Sequence, residues 1–316
     1  MVAEAQQRGV ERYLALPGKA VRRVRQWHGL IRQASGRRYG SYTSDELRSP
    51  DANASRELRE QAGLATVYEP HSGQLLVCGQ HSRFRLSSPV ILYTLREVYR
   101  DAVYRFHTMR DCVVLDIGAN VGVSALFFAE MPRVHRIVGY EPFAPTYAEM
   151  LANLALNPAL AAKIRPVNAG VARAAATLSV EYCPSHTTIA SVVGPLVLGE
   201  RDRLVTETIC LHAAADVVRD IRQQHPQLDL IAKVDCEGSE YEILEAWEAA
   251  GSLGQMSAIL LEWHQRGAAP LTAILERNGY ICFAPGPRSG PAGMLYAFRQ
   301  HAPQGLSRTS ASSAVP

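Results

Sequence analysis

Lys233, Asp235, Glu237 and Glu240 stand within the eight residues "KVDCEGSE", directly after the apolar run "LDLIA". Burying ionised groups without partners costs several kcal/mol, and about 2–7 kcal/mol even for uncharged polar groups. Such a charged strand end therefore meets either water or a ligand. The strand alternates, so Ile231, Lys233 and Asp235 share one face, with Asp235 nearest the carboxyl end and Glu237 in the following loop. A second apolar run, "AILLEWH", delivers Glu262 and His264 to the equivalent position. These groups suit proton removal from, and orientation of, a polar substrate. His264 reads as a base because its ordinary pKa lies near neutrality, or as a structural histidine. Lys233 reads as a neutralising partner of the acids or a stabiliser of an alkoxide. Ser239 and Glu242 have capping-box spacing and are assigned to the helix start, and Glu240 leans the same way. Asp235, Glu237 and Glu262 could in principle hold a divalent ion, but no metal is expected.

A second constellation lies upstream. "DIGANVG", Asp116 to Gly122, ends an apolar strand and opens a helix. Glycine permits a tight turn and close approach of a ligand to the backbone. The turn lacks the Gly-Lys-Ser/Thr ending of a P-loop, and Asn120 and Val123 break the G-x-G-x-x-G dinucleotide spacing. Asp116 would repel a pyrophosphate and attract a sulfonium or ammonium. The next strand ends in Glu141, an acid placed to accept the hydroxyls of a ribose. The pair asks for a cationic, adenosine-like ligand, and S-adenosylmethionine meets that description. Taken alone, Gly118 and Gly122 also read as a plain strand–helix turn.

The elements that must position these residues alternate from residue 111 onward. "CVVLDIG", "RIVGYE", "KIRPVN", "LDLIAKVD" and "AILLEWH" read as strands, with helices such as "VGVSALFFAEM" and "SEYEILEAWEAA" between them. This argues an α/β fold with a mostly parallel sheet and helices on both faces. The helix "PTYAEMLANLAL" is expected to turn Tyr147, Leu151 and Leu154 inward. "YICFAP" and "MLYAFRQ" follow without a helix between them, so the last strand is expected antiparallel, at or near the sheet edge. "ATLSVEYC" and "VTETICL" read as two further strands.

Four segments are expected: a basic helical appendage over 1–45, a strand/helix cap over 46–110, the nucleotide-binding unit over 111–300 and a disordered tail over 301–316. The stretch 41–60 reads as polar linker. In the cap, Ile91, Leu95, Val98, Ala102 and Phe106 fall on one face of a helix. Residues 1–40 carry nine lysines and arginines against Glu4 and Glu11, while the whole chain of 316 residues has a net charge of only +3. That balance is too mild for nucleic-acid binding by the entire protein. The basic appendage fits a helix packed on protein, or a peripheral contact with an anionic membrane. The six cysteines lack CxxC spacing, and no apolar run approaches the roughly 20 residues of a membrane span. A soluble, cytoplasmic protein is expected.

"VVLDIGANVGVSALFFA", "GYEPFAPTYAEMLANLALN", "VNAGVA", "LIAKVDCEGSEYEIL" and "AILLEWH", in this order, resemble the FkbM family of S-adenosylmethionine-dependent methyltransferases. The resemblance implies a seven-stranded, Rossmann-like class I methyltransferase fold and O-methylation of a hydroxyl on a sugar, glycan or natural-product acceptor. It implies that Asp116, Gly118, Asn120 and Gly122 form the cofactor turn, that Glu141 holds the ribose, and that Asn168 lies beside the adenine or methyl-donor pocket. Asp235, Glu237, His264 and Lys233 become the candidate catalytic residues. "SHTTIASVVG", within the least family-like stretch 176–200, is the expected acceptor-contacting segment. An RNA methyltransferase using the basic N-terminus, a non-catalytic cofactor-binding protein and a nicotinamide dehydrogenase are the rival readings. DNA is not an expected partner.

Overall fold

The computed structural model describes residues 52–69, 74–86, 91–182, 205–285 and 292–300. The basic appendage, the "SHTTIASVVG" segment and the C-terminal tail lie outside the described residues.

The centre is a seven-stranded sheet. Its strands are β4 (Cys112–Ile117), β5 (Val134–Tyr140), β6 (Ile164–Val167), β10 (Asp229–Val234), β11 (Ala258–His264), β12 (Tyr280–Phe283) and β13 (Ala292–Arg299). Their spatial order is β12-β13-β11-β10-β4-β5-β6. β4, β5, β6, β10 and β11 run parallel, while β13 is antiparallel to both β11 and β12. The antiparallel strand thus slots one place inside the edge that β12 forms.

Every residue of β4 is buried, as a parallel strand covered on both faces requires. Period-two alternation splits the side chains between two cores. Val114, Ile231 and Leu260 enter one, and Val113, Leu115, Leu230, Ala232 and Ile259 enter the other. The first core is closed by α3 (Val123–Glu130), whose residues Val123 to Ala129 are all buried. The second is closed by α6 (Ala214–Gln224), α7 (Glu240–Ala249) and α8 (Ala269–Arg277), with Trp247 fully buried between them. Each fully buried Leu or Ile contributes roughly 1.5–3 kcal/mol.

A small antiparallel sheet, β1 (Ala65–Glu69), β2 (Gln74–Cys78) and β3 (Arg83–Leu86), adds Leu75, Val77, Phe84 and Leu86 to the first core. Its β3 edge does not face water unpaired. Asn153 on α4 (Ala144–Ala155) accepts from Arg85 N at 2.8 Å, and Asn157 accepts from Arg83 N at 2.8 Å. A third sheet joins β7 (Gly170–Ala172), β9 (Val205–Ala213) and β8 (Ala176–Tyr182). β8 and β9 pair antiparallel, and β7 is a strand that the sequence reading did not separate.

Four local expectations change. The supposed linker contains α1 (Ala52–Ala62), which buries Leu58 while Glu57 pairs with Arg96 and Arg100. The helix read through residue 106 is α2 (Ile91–Leu95) continued by a π-helical turn over Arg96–Arg100. It stops because Ala102 takes a left-handed φ of 53°, after which the chain runs on irregularly with Phe106 still buried. On α4 the buried residues are Thr146, Met150, Asn153 and Leu154, and Leu151 is 42% exposed. The helix is rotated from its simple apolar reading because Asn153 is needed inside, where its amide donates to Val121 O at 3.0 Å. At α7, Ser239 makes no side-chain capping bond and Glu242 is exposed.

Candidate active site

β4 delivers the glycine turn. Gly118 and Gly122 have φ of 78° and 89°, and Asn120 between them is also left-handed at 49°. Gly118 N and Ala119 N donate to Tyr140 O, fastening the turn to β5. A Cβ on Gly118 would fall 1.8 Å from Asp235 O. The requirement for glycine here comes from the neighbouring strand β10, whose backbone the turn touches.

Glu141, at the end of β5, is buried, with Oε2 accepting from Asn120 N at 3.1 Å and Oε1 from Phe143 N at 3.0 Å. Burial raises its pKa to about 7, against the lowering effect of those two N–H groups and of Lys233. Each carboxylate oxygen carries a second lone pair, so the group retains capacity for two hydroxyl donors. Asn168 is exposed beside this loop, and its amide nitrogen donates to the carbonyls of Glu141 and Pro142. It braces the loop that carries Glu141.

Asp116 departs from its expected part. Its side chain is fully buried, Ser124 Oγ donates to Oδ2 at 2.7 Å, and Lys233 Nζ lies 3.3 Å from Oδ1. It is sealed beneath the turn and does not offer its charge to a ligand. Lys233 is equally enclosed. Its Nζ donates to Gly118 O at 2.6 Å and Ile117 O at 3.2 Å, lies 3.4 Å from Asp235 Oδ2, and sits over the Tyr104 ring. Burial disfavours its charge, but Asp235 and Asp116 outweigh that and raise its pKa. Lys233 is a positioning residue that ties β10 to the glycine turn.

Beyond Lys233, Asp235, Glu237 and His264 lie together. Tyr104 donates to Asp235 Oδ2 at 2.9 Å, and Tyr296 on β13 donates to Val103 O at 3.0 Å, holding the Tyr104 segment over the sheet. Burial opposes the Asp235 charge, but Lys233, His264 and the Tyr104 bond together hold its pKa below the ordinary value. Glu237 is left-handed at φ 56°, with Gly238 following at 119°, and its Oε2 lies 3.5 Å from His264 Nε2. His264 Nδ1 lies 2.9 Å from Glu240 Oε1. Burial lowers the His264 pKa, yet the Glu237 and Glu240 carboxylates more than reverse this and bring it to about 10. The two carboxylates thus hold the imidazole between them. Glu237 and Glu262 are pushed up to about 8, chiefly by burial. Ligand atoms of Asp235, Glu237 and His264 all lie within 4.8 Å of one another.

Tyr104, Glu240 and Tyr241 are the site residues that sequence reasoning missed or undervalued. Glu240 is wholly buried, and its Oε1 also accepts from Cys236 N and Gly238 N. It therefore does the work assigned to Ser239 and Glu242, and positions His264 as well. The Tyr241 hydroxyl is shared between the carbonyls of His264 and Gly267, which fixes the end of β11. Glu240 and Tyr241 were legible as part of "KVDCEGSEYEIL"; Tyr104 had no local signal.

The donor set suits S-adenosylmethionine. A buried acid with lone pairs to spare closes the second strand, and the left-handed glycine turn lies against it through Asn120 N. Comparison with known proteins agrees. The methyltransferase FkbM domain matches residues 116–282, more than half of the chain. Methyltransferase sdnD of Sordaria araneosa is 25% identical over 240 residues, covering 66% of this chain and 88% of that protein. The AMB antimetabolite synthetase AmbE of Pseudomonas aeruginosa is 24% identical over 226 residues, which are 60% of this chain but 10% of that protein. The crystal structure of methyltransferase FkbM from Methylobacillus flagellatus aligns with 15% identity and a TM-score of 0.41, covering 82% of this chain and 62% of that one. Sheet order, turn and family match together make this an S-adenosylmethionine-dependent methyltransferase with a Rossmann-like fold. The chain belongs to the FkbM methyltransferase family.

Proposed function

We propose that this methyltransferase acts on a hydroxyl of a small-molecule acceptor, a sugar, glycan or natural product, seated against Asp235, Glu237 and His264. One observation carries the reading: the glycine turn and the acid cluster share one rim, so close that Gly118 has no room for a side chain beside Asp235 O. Touching backbones support donor and acceptor sites close enough for in-line transfer. When bound, S-adenosylmethionine would supply a methyl carbon activated by its sulfonium, with sulfur able to keep the electron pair of the C–S bond.

The chain's own residues do the rest. Glu141 accepts the ribose hydroxyls, and Gly118, Asn120 and Gly122 shape the turn against which the ligand lies. Asp116 and Lys233 hold that turn from beneath. Asp235, held ionised and fixed by Tyr104, orients the acceptor hydroxyl, and the hydroxyl proton passes to a carboxylate of the cluster. Orientation of this kind is worth up to about 7–11 kcal/mol in model systems, and a positioned base about 10²–10⁴-fold. An antimetabolite synthetase among the relatives is in keeping with a natural-product acceptor.

The test is transfer of a labelled methyl group from S-adenosylmethionine to a panel of monosaccharides, glycosides and hydroxylated metabolites, with wild type and Asp235→Asn. Methyl ether products, formed about 10²-fold or more slowly by the variant while its cofactor affinity stays within about threefold, are expected. Product methylated only on nitrogen, or undiminished turnover in Asp235→Asn, refutes the proposal.

A further inference from the structure

We propose that Asp235, Glu237 and His264 hold a divalent metal ion on the acceptor side of the site, with Glu240 as the residue that orients the histidine ligand. The proposal deepens the function above and rests on this rim being the acceptor site.

The geometry comes first. The three donor atoms lie within 4.8 Å of one another, and His264 Nε2 is 3.5 Å from Glu237 Oε2. Donors about 2.0–2.3 Å from one ion stand roughly 3–4.5 Å apart, so the set closes on an ion with little adjustment. The second consideration is the histidine. A ligating imidazole characteristically donates its other N–H to a carboxylate, which fixes both tautomer and ring plane. Here Nδ1 faces Glu240 Oε1 at 2.9 Å, leaving Nε2 toward Glu237. Glu240 is wholly buried, and its Oε2 has no hydrogen-bond partner among the described residues. A buried carboxylate used on one oxygen only, behind a histidine, is costly to keep for capping alone.

The third consideration is charge. Asp116, Asp235, Glu237, Glu240 and Glu262 are opposed within this cluster by Lys233 and His264. A bound dication favours the ionised carboxylates and the neutral imidazole that ligation needs. Asp235 is already locked by Tyr104 and Lys233 on Oδ2, so its remaining lone pairs have a fixed direction. Two carboxylates and one imidazole make a mixed oxygen–nitrogen set, suited to Mn²⁺ or Zn²⁺ above Mg²⁺. Three protein ligands leave positions for acceptor oxygens, which selects an acceptor with two neighbouring oxygens.

The experiment is titration of the full chain, stripped with EDTA, by Mn²⁺ alone, followed through loss of the free-ion electron paramagnetic resonance signal. One ion per chain is expected, with nitrogen hyperfine coupling from His264 in the wild-type complex and displacement by Zn²⁺. Glu237→Gln should weaken binding at least about tenfold and Glu240→Gln about 10–100-fold, with both variants shown to be folded by thermal unfolding. Absence of stoichiometric binding, or binding without nitrogen coupling, overturns the proposal; the wild-type coupling decides the matter even if a variant fails to fold. Methyl transfer to hydroxyls that is indifferent to EDTA, with no Mn²⁺ bound, sinks the metal site and leaves the function standing. Bound Mn²⁺ with nitrogen coupling but no transfer to any hydroxyl supports the site and sinks the acceptor class.

Discussion

Lys233→Met is the most informative single change in the fold. Methionine matches the lysine stem in length and removes only the charge and its donors. The wild-type Nζ lies 3.3 Å from Asp116 and 3.4 Å from Asp235, and the lysine is 1% exposed. At an effective dielectric of about 20, each ion pair is worth about 5 kcal/mol before desolvation. Desolvation of the lysine itself offsets much of that, and losing one partner of a buried cluster costs about 3–5 kcal/mol net. Gly118 O also loses its 2.6 Å donor, adding about 1 kcal/mol. The expected loss is therefore about 4–6 kcal/mol. With a urea slope of about 3 kcal/mol per molar, the unfolding midpoint falls by about 1.3–2 M. Adding Asp116→Asn should recover part of this, giving a coupling of at least about 1.5 kcal/mol in a double-mutant cycle. A midpoint shift under about 0.5 M, or strict additivity with Asp116→Asn, would refute the view that Lys233 is the electrostatic clamp of the turn.

Cofactor affinity should depend on pH through Glu141. Its folded-state pKa is raised to about 7 by burial, so the stabilisation from holding the proton is lost as pH rises through about 7. Ribose hydroxyls need the ionised form, and S-adenosylhomocysteine should bind about tenfold more weakly near pH 6 than near pH 8 by calorimetry, a slope that Glu141→Gln abolishes. Gly118→Ala forces a left-handed alanine and a Cβ 1.8 Å from Asp235 O, so a destabilisation of about 2–5 kcal/mol and loss of cofactor binding are expected in denaturation and calorimetry. Tyr104→Phe removes the 2.9 Å bond to Asp235 and should cost about 0.5–3 kcal/mol of stability while lowering turnover more than cofactor affinity. Steady-state kinetics with both substrates varied would show that split, and an unchanged turnover would contradict it.

The central sheet was legible because "CVVLDI" and "LIAKV" are strands buried on both faces, and continuous apolar runs bounded by turn residues have few other homes. The glycine turn was legible through its spacing after a strand. The antiparallel β13 followed from the missing helix before it. What failed was decided by partners distant in sequence. The capping-box pattern at Ser239 and Glu242 is a local preference, and His264, 24 positions on, recruits Glu240 instead. The helical periodicity from Ile91 to Phe106 hid a break at Ala102, where the chain leaves the helix and Tyr104 meets Asp235, 131 positions away. Leu151 looked like core because apolar type was read without the neighbouring Asn153, whose hydrogen bonds set the rotation of α4. Asp116 was placed at the correct strand end but with the wrong outlook, since the pairing of β4 with β10 sets it opposite Lys233.

The Tyr296–Val103 bond and the Tyr104–Asp235 bond also bear on where the working enzyme begins and ends. The matched family segment, 116–282, holds the glycine turn, Glu141 and the whole acid cluster. Yet the hydroxyl that fixes Asp235 comes from before it, and the strand that supports that hydroxyl's segment comes after it. A fragment trimmed to residues 116–282 would bare the edge of β11 along its full register with β13 and leave Asp235 held by Lys233 alone among its two side-chain partners. The minimal folding unit is therefore wider than the minimal recognisable one, and truncations meant to isolate the activity need to keep residues 52 to 300, whose first sheet and helix also enter the first core.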